Sequence, residues 1–169
     1  MLARAHALVV LSALASSAHA EVVDLPNTLA TIDVAPSWRP VTVAPAATAR
    51  GLVAGYRTDG GLLLAITRAQ VPNPDAWRAK TRDAYVDEVA RGLLAAIADG
   101  KQLARATRDL GGVPALDLEV RRKDGATILV RMLLMRTYAL TSLVEVPKGS
   151  DLAPARATLA TFTSNARTP

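Results

Sequence analysis

Asp117 and Glu119 lie two residues apart in the alternating run PALDLEVRR (114–122). On an extended chain both carboxylates leave the same face, with Cα atoms roughly 6.6 Å apart. Carboxylates paired in this way can serve glycoside hydrolysis or hold an oxygen-ligated cation such as calcium. The same alternation marks any solvated sheet face, and that plainer reading is the expected one. Two arginines complete the set. Arg131 interrupts an otherwise apolar run and Arg68 closes another, so either guanidinium can meet an anion or a partner carboxylate. For Arg131 the simpler expectation is a buried stem with a wet head, or an ion pair with Asp117 or Glu119 across a hairpin. Arg68, Arg131, Asp117 and Glu119 are thus candidate binding residues, and no catalytic residue is assigned.

The absences narrow the chemistry further. The chain has no cysteine, and its 2 histidines, His6 and His19, both fall in the first twenty residues. The remainder therefore lacks the side chains of zinc sites, of Ser-His-Asp and Cys-His nucleophiles, and of imidazole acid-base catalysis. Carboxylate chemistry, a lysine-assisted serine, an oxygen-ligated cation or no chemistry at all remain. The Ser-x-x-Lys, Gly-x-Ser-x-Gly and P-loop patterns are missing, and Gly100-Lys101 lacks the upstream glycine and following hydroxyl that phosphate binding needs. Asp59-Gly60-Gly61 lacks the alternating ligands of a calcium loop. No metal and no cofactor is expected. Trp38, Tyr56, Trp77 and Tyr138 could line a small pocket between sheet and helix, though core packing is their default use.

The first twenty residues, MLARAHALVVLSALASSAHA, carry Arg4, a short apolar run and Ala18-His19-Ala20 before Glu21. This is the pattern of a secretory signal peptide cleaved after Ala20. Its apolar run is about nine residues, well short of the roughly 20 that a spanning helix needs. Residues 21–169 then form one domain, exported to the periplasm or beyond, and without cysteine it must be held by packing alone. Arg4 is the only leader residue among the 20 Lys and Arg, so 19 remain against 15 Asp and Glu, a net charge of +4. That balance mildly favours anionic partners. Nucleic acid is not expected, because the few aromatics do not interleave with the basic residues. Arg121-Arg122-Lys123, followed by Asp124-Gly125, reads as an exposed hairpin tip.

These residues must be positioned by strands and helices legible from periodicity. Residues 21–27 read as a short arm, 28–35 as a strand with Ile32 and Val34 on one face, and 41–50 as a loop or short helical turn. Residues 51–58 and 61–70 read as a hairpin closed at Asp59-Gly60 by a type I′ turn. Between Asn73 and Gly100, Val86, Val89, Leu93 and Ile97 recur at steps of three and four, which predicts an amphipathic helix over 74–99. Trp77 and Tyr85 extend its stripe, Asp83 and Asp87 lie on its wet side, and Gly100 supplies a left-handed stop. Strands follow at 102–110 and 114–122, the second with Leu116, Leu118 and Val120 inward. A closing helix runs from Ser150 or Asp151 to Asn165, with Leu152, Leu159 and Phe162 inward.

The stretch ILVRMLLMRTYALTSLVEV (128–146) is long enough to span a bilayer, so its free energy decides. Its nine Leu, Ile and Val residues would contribute roughly −3 to −5 kcal/mol to insertion, and two mid-segment arginines would cost about 5 to 7 kcal/mol. The balance opposes a membrane helix. Read as strands, 126–136 is apolar on both faces and 138–146 pairs back after a reversal near Arg136 and Thr137. A strand apolar on both faces belongs inside a covered sheet.

This order of elements carries a Pro-x-Trp unit after the first strand (Pro36, Ser37, Trp38). It also carries the entry Gly-Val-Pro-Ala-Leu-Asp at 112–117, Arg-Thr-Tyr-Ala-Leu at 136–140 and Ala-Thr-Phe at 160–162. Together they resemble the PsbP/Mog1-like superfamily over most of the chain after the leader. The resemblance implies an α+β fold in which an antiparallel sheet of about six to seven strands is sandwiched by helices. It further implies an accessory or binding protein, since most members lack enzymatic activity, and it carries no functional residue onto this chain. The expected function is an exported, noncatalytic binding or accessory protein whose partner is another envelope protein or an anionic ligand. The alternatives are a carboxylate- or serine-dependent enzyme, marked by a pocket converging on Asp117 and Glu119 with perturbed acidity, and a carrier of a small apolar ligand.

Overall fold

The computed structural model describes residues 20–70, 82–97, 99–135 and 137–165. The leader, Trp77, the first turns expected of the long helix, and Arg136 lie outside these residues. The described strands are β1 (Glu21–Asp24), β2 (Ala30–Val34), β3 (Arg39–Pro40), β4 (Leu52–Arg57), β5 (Leu63–Gln70), β6 (Lys101–Leu110), β7 (Val113–Arg121), β8 (Thr127–Leu134), β9 (Tyr138–Val146) and β10 (Thr163–Ser164). The described helices are α1 (Pro45–Thr48), α2 (Arg82–Ala96) and α3 (Ala153–Thr161).

Strands β3-β4-β5-β9-β8-β7-β6 form a seven-stranded sheet in that order. Its pairs are all antiparallel. The run that is long enough to cross a membrane forms two neighbouring strands, with Ile128 opposite Glu145 and Leu134 opposite Ala139. All eight residues of β8 are buried. Leu129 and Leu133 enter a core under α3 and the small sheet, whereas Ile128, Val130, Met132 and Leu134 enter a second core under α2. Two covered faces are what an uninterrupted apolar strand requires, since either face left wet would lose about 1.5–3 kcal/mol for each large side chain. No described helix is long and apolar enough to cross a membrane.

The segment 28–35 holds the expected strand. Rather than joining the main sheet, β2 forms a separate three-stranded sheet between β1 and β10. The expected arm is strand β1, paired from Glu21 opposite Val34 to Asp24 opposite Thr31. The closing helix is shorter than predicted and stops at Thr161. Phe162 adopts an extended conformation (φ −68°, ψ 110°) and is fully buried, and Thr163 then pairs with Thr31. Thr161 and Thr163 are β-branched and favour extended backbone over another helical turn, and burying the Phe162 ring anchors the switch. Asp151 does accept the Ala153 N–H, at 2.9 Å, near the start of α3.

Two turns also differ. The β4–β5 connection uses three residues, because Gly61 rather than Gly60 takes positive φ (+83°) and Thr58 N–H bonds to the Leu62 carbonyl at 3.0 Å. This is the longer glycine-closed loop, not a two-residue type I′ turn. After α2, Asp99 takes the left-handed position (φ 55°) that Gly100 was expected to fill. Gly100 is needed for space instead, since a Cβ there would stand 2.7 Å from Val120 Cγ1. On α2, Val86 is buried as the stripe predicts, Tyr85, Val89 and Leu93, with Ile97 just after the helix, are half-buried against the same core, and Ala90, outside the predicted stripe, is buried with them. Asp87 lies on the wet side as expected and forms an ion pair there with Arg105 of β6.

Candidate functional site

The antiparallel register sets the site. Ile66, Ser142, Arg131, Asp117 and Ala106 stand opposite one another across five adjacent strands, from β5 to β6. The next row runs Leu64, Val144, Leu129, Glu119 and Ala104. Toward β5 and β9 these rows are buried and, Ser142 apart, apolar. Toward β7 and β6 they become charged and end in two alanines, where α3 leaves the sheet face partly open.

A groove of about 300 Å³ occupies this opening, lined by Ala104, Ala106, Asp117, Glu119, Arg131 and Arg156 among others. Arg131 is its fixed point. Its guanidinium donates to both Asp117 oxygens, Nε to Oδ1 at 2.7 Å and Nη2 to Oδ2 at 2.8 Å. The remaining nitrogen, Nη1, donates to the Ala160 carbonyl at 2.9 Å, in the last turn of α3. A cation there also complements the negative end of the helix. The arginine thus ties two strands and a helix together while only 8% exposed.

Arg108 of β6 adds a third hydrogen bond to Asp117, Nε to Oδ2 at 2.7 Å. Arg156 of α3 donates to Glu119 at 2.8 Å. Burial pushes the Asp117 carboxyl up, but the hydrogen bonds and charges of Arg131 and Arg108 outweigh it and hold the group below its ordinary value. Among the described residues of the cluster three guanidiniums face two carboxylates, and Arg108 has a further interaction besides Asp117. Deeper in the same row, Ser142 is fully buried and its hydroxyl has no hydrogen-bond partner among the described residues.

Three of the four candidate residues therefore converge. The expected pairing of Arg131 with Asp117 is found, but the carboxylate face is not the open, solvated one expected. The Asp117 and Glu119 side chains are 23% and 16% exposed and each is held by arginine. The cause is α3, which covers half of that face. Arg68 does not join them. It shares a row with Leu140, Leu133, Ala115 and Arg108, but its guanidinium lies 4.4 Å over the Tyr138 ring and donates to the Asn27 carbonyl at 3.3 Å.

Arg108 and Arg156 were not foreseen, although a signal existed for each. Arg108 continues the Ala104, Ala106 face of β6. Arg156 falls four residues after Leu152 and three before Leu159, inside the apolar stripe of α3.

Among the described residues no group of three or more His, Cys, Asp or Glu could hold a metal ion. Among the described residues, Trp38, Tyr56 and Tyr138 do not form one pocket. Trp38 and Tyr56 line a cleft of about 380 Å³ with Pro36 and Pro40, and the Trp38 indole donates to Thr158 Oγ1 at 3.1 Å. Tyr138 lies with Arg68.

No protein-family model matches the chain, and no curated protein matches it. Solved structures do. The cyanobacterial PsbP (CyanoP) from Synechocystis sp. PCC 6803 superposes with a TM-score of 0.64 at 15% identity, over 87% of this chain and 93% of that one. Weaker matches are a protein from Bacteroides thetaiotaomicron (TM-score 0.46, 12% identity, 80% of this chain and 45% of that one) and PA94 from Pseudomonas aeruginosa, titled a putative regulator of unknown function (TM-score 0.46, 13% identity, 89% and 97%). The sheet order, its helices and the CyanoP superposition give one conclusion: this chain has the PsbP-like α+β fold.

Proposed function

We propose that this protein is an exported, noncatalytic binding or accessory protein of the cell envelope, and that the groove between β6, β7, β8 and α3 receives an anionic group of its partner. One observation carries the reading: Asp117 is clamped by Arg131 and Arg108. A carboxylate kept ionised by two guanidiniums neither donates a proton near neutral pH nor accepts one readily. The groove converges on Asp117 and Glu119 as an enzyme's would, but the Asp117 carboxyl is displaced in the wrong direction for acid catalysis. The guanidiniums of the groove favour an incoming carboxylate or phosphate. Export is supported by the leader pattern of the first twenty residues.

The test uses citrate as a small polyanionic probe and follows backbone amide shifts of the purified protein. Shifts confined to Ala104, Ala106, Arg156 and Ala160, and lost in Arg156→Glu, are expected. A spectrum unchanged by citrate would overturn the assignment of the groove.

A further inference from the structure

The groove opens onto the edge of the sheet, and that edge is unusual for the fold's own economy. At the opposite edge β3 has only two residues, a short terminus that offers little for another strand to pair with. Strand β6 has ten, and every residue from Lys101 to Asp109 is exposed. A long, uncovered edge strand is a template for pairing with a further chain unless something blunts it. One blunting device is present. The register with β7 shifts between Gln102 and Ala104, which places the exposed Leu103 at a bulge. Beyond it, pairing is regular from Ala104 opposite Glu119 to Leu110 opposite Val113, so the stretch 104–110 is straight enough to accept a neighbour.

Charge selects the neighbour. Strand β6 carries Lys101, Arg105 and Arg108 against Asp109, a net charge of +2 that favours an acidic strand over a second, equally basic copy. Ala104 and Ala106 put no bulk on the groove side of the edge. A strand added about 4.8 Å beyond β6 would lay alternate side chains beside those alanines. There they reach the half-exposed guanidiniums of Arg108 and Arg156.

We infer that β6 is a docking edge for an extended acidic segment of a partner protein, which adds as an eighth strand and places alternate Asp or Glu side chains in the groove. This rests on the groove reading above and specifies its partner. Main-chain hydrogen bonds would supply affinity and the arginines selectivity for acidic side chains.

The experiment compares a peptide of roughly eight residues, Glu alternating with Val, with the same peptide N-methylated at alternate backbone positions. Both are titrated into the full protein by calorimetry and amide NMR, with citrate as a groove probe. The parent peptide should shift and protect amides of residues 104–110, with affinity reduced about tenfold or more by N-methylation. Arg156→Glu and, independently, Ala106→Glu should each weaken it about tenfold, with unchanged amide spectra elsewhere showing that both variants fold. Equal binding of the parent and N-methylated peptides would overturn the edge pairing while leaving the groove as an anion site. Failure of citrate and both peptides would overturn the groove itself. Self-association through β6 without peptide would replace the acidic partner with a second copy of this chain.

Discussion

Arg131 stands directly opposite Asp117, on β8 and β7, and donates two hydrogen bonds to its carboxylate, at 2.7 and 2.8 Å. In its row this pair is the point where the buried half of the sheet face turns into a charged one.

Breaking the pair on one side should be costly. Asp117→Leu leaves the 8%-exposed Arg131 guanidinium without its carboxylate, and a loss of about 3–5 kcal/mol is expected for removing one partner of a buried pair. The double variant Asp117→Leu with Arg131→Leu should recover most of it, because no charge is left stranded. Urea unfolding of the single and double variants measures the difference. A double variant no more stable than the single one would mean that the arginine's bond to Ala160, not its bonds to Asp117, carries the stability.

The acidity of Asp117 has a signed consequence. Its folded pKa lies below the unfolded one, so the folded state binds the proton less readily. The stabilisation is complete above the ordinary carboxylate range near pH 4 and disappears as pH falls through the folded pKa. Unfolding free energy between about pH 5 and pH 2 should therefore fall less steeply in Asp117→Asn than in the parent. Equal slopes would show that other carboxylates dominate acid denaturation.

Ser142→Ala should leave stability unchanged or raise it by about 1 kcal/mol, since a buried hydroxyl lacking a partner costs roughly that much or more. Thermal unfolding reports the sign. A drop beyond about 1 kcal/mol would reveal a bonded hydroxyl.

Two glycines, one inside α2 and one just beyond it, should respond oppositely to alanine. Gly92 has nothing within 4 Å of a built Cβ and lies inside α2, so Gly92→Ala should stabilise by about 0.5–1 kcal/mol. Gly100→Ala drives its methyl to 2.7 Å from Val120 Cγ1 and should cost about 1–3 kcal/mol. Denaturant midpoints of both variants check the pair, and a stabilised Gly100→Ala would mean that α2 and β7 are less closely packed than described.

Strand identity was legible wherever one residue type had only one place to go. The doubly apolar β8 demanded two covered faces, and the alternation of β7 put Leu116, Leu118 and Val120 into a core. Sheet membership was not legible. Ile32 and Val34 require burial but do not say against which sheet, and only the return of Phe162 and Thr163 beside Thr31 decides it. The same limit applies to the site. Arg131 opposite Asp117 follows from hairpin register, which is local. The pairing of Arg156 with Glu119 depends on where α3 docks, a long-range packing choice that no spacing along the chain encodes. Arg68 shows the converse, a cation in a suggestive position that found an aromatic ring nearer than any groove residue.

The most direct test is a 13C NMR titration of the Asp117 side-chain carboxyl carbon in the native protein. A midpoint below that of an ordinary aspartate, moving upward when Arg108 is replaced by Gln, is the predicted result and marks a carboxylate locked as an ion-pair partner. A midpoint at or above the ordinary value would contradict the clamp and leave Asp117 free for the proton chemistry that this account denies it.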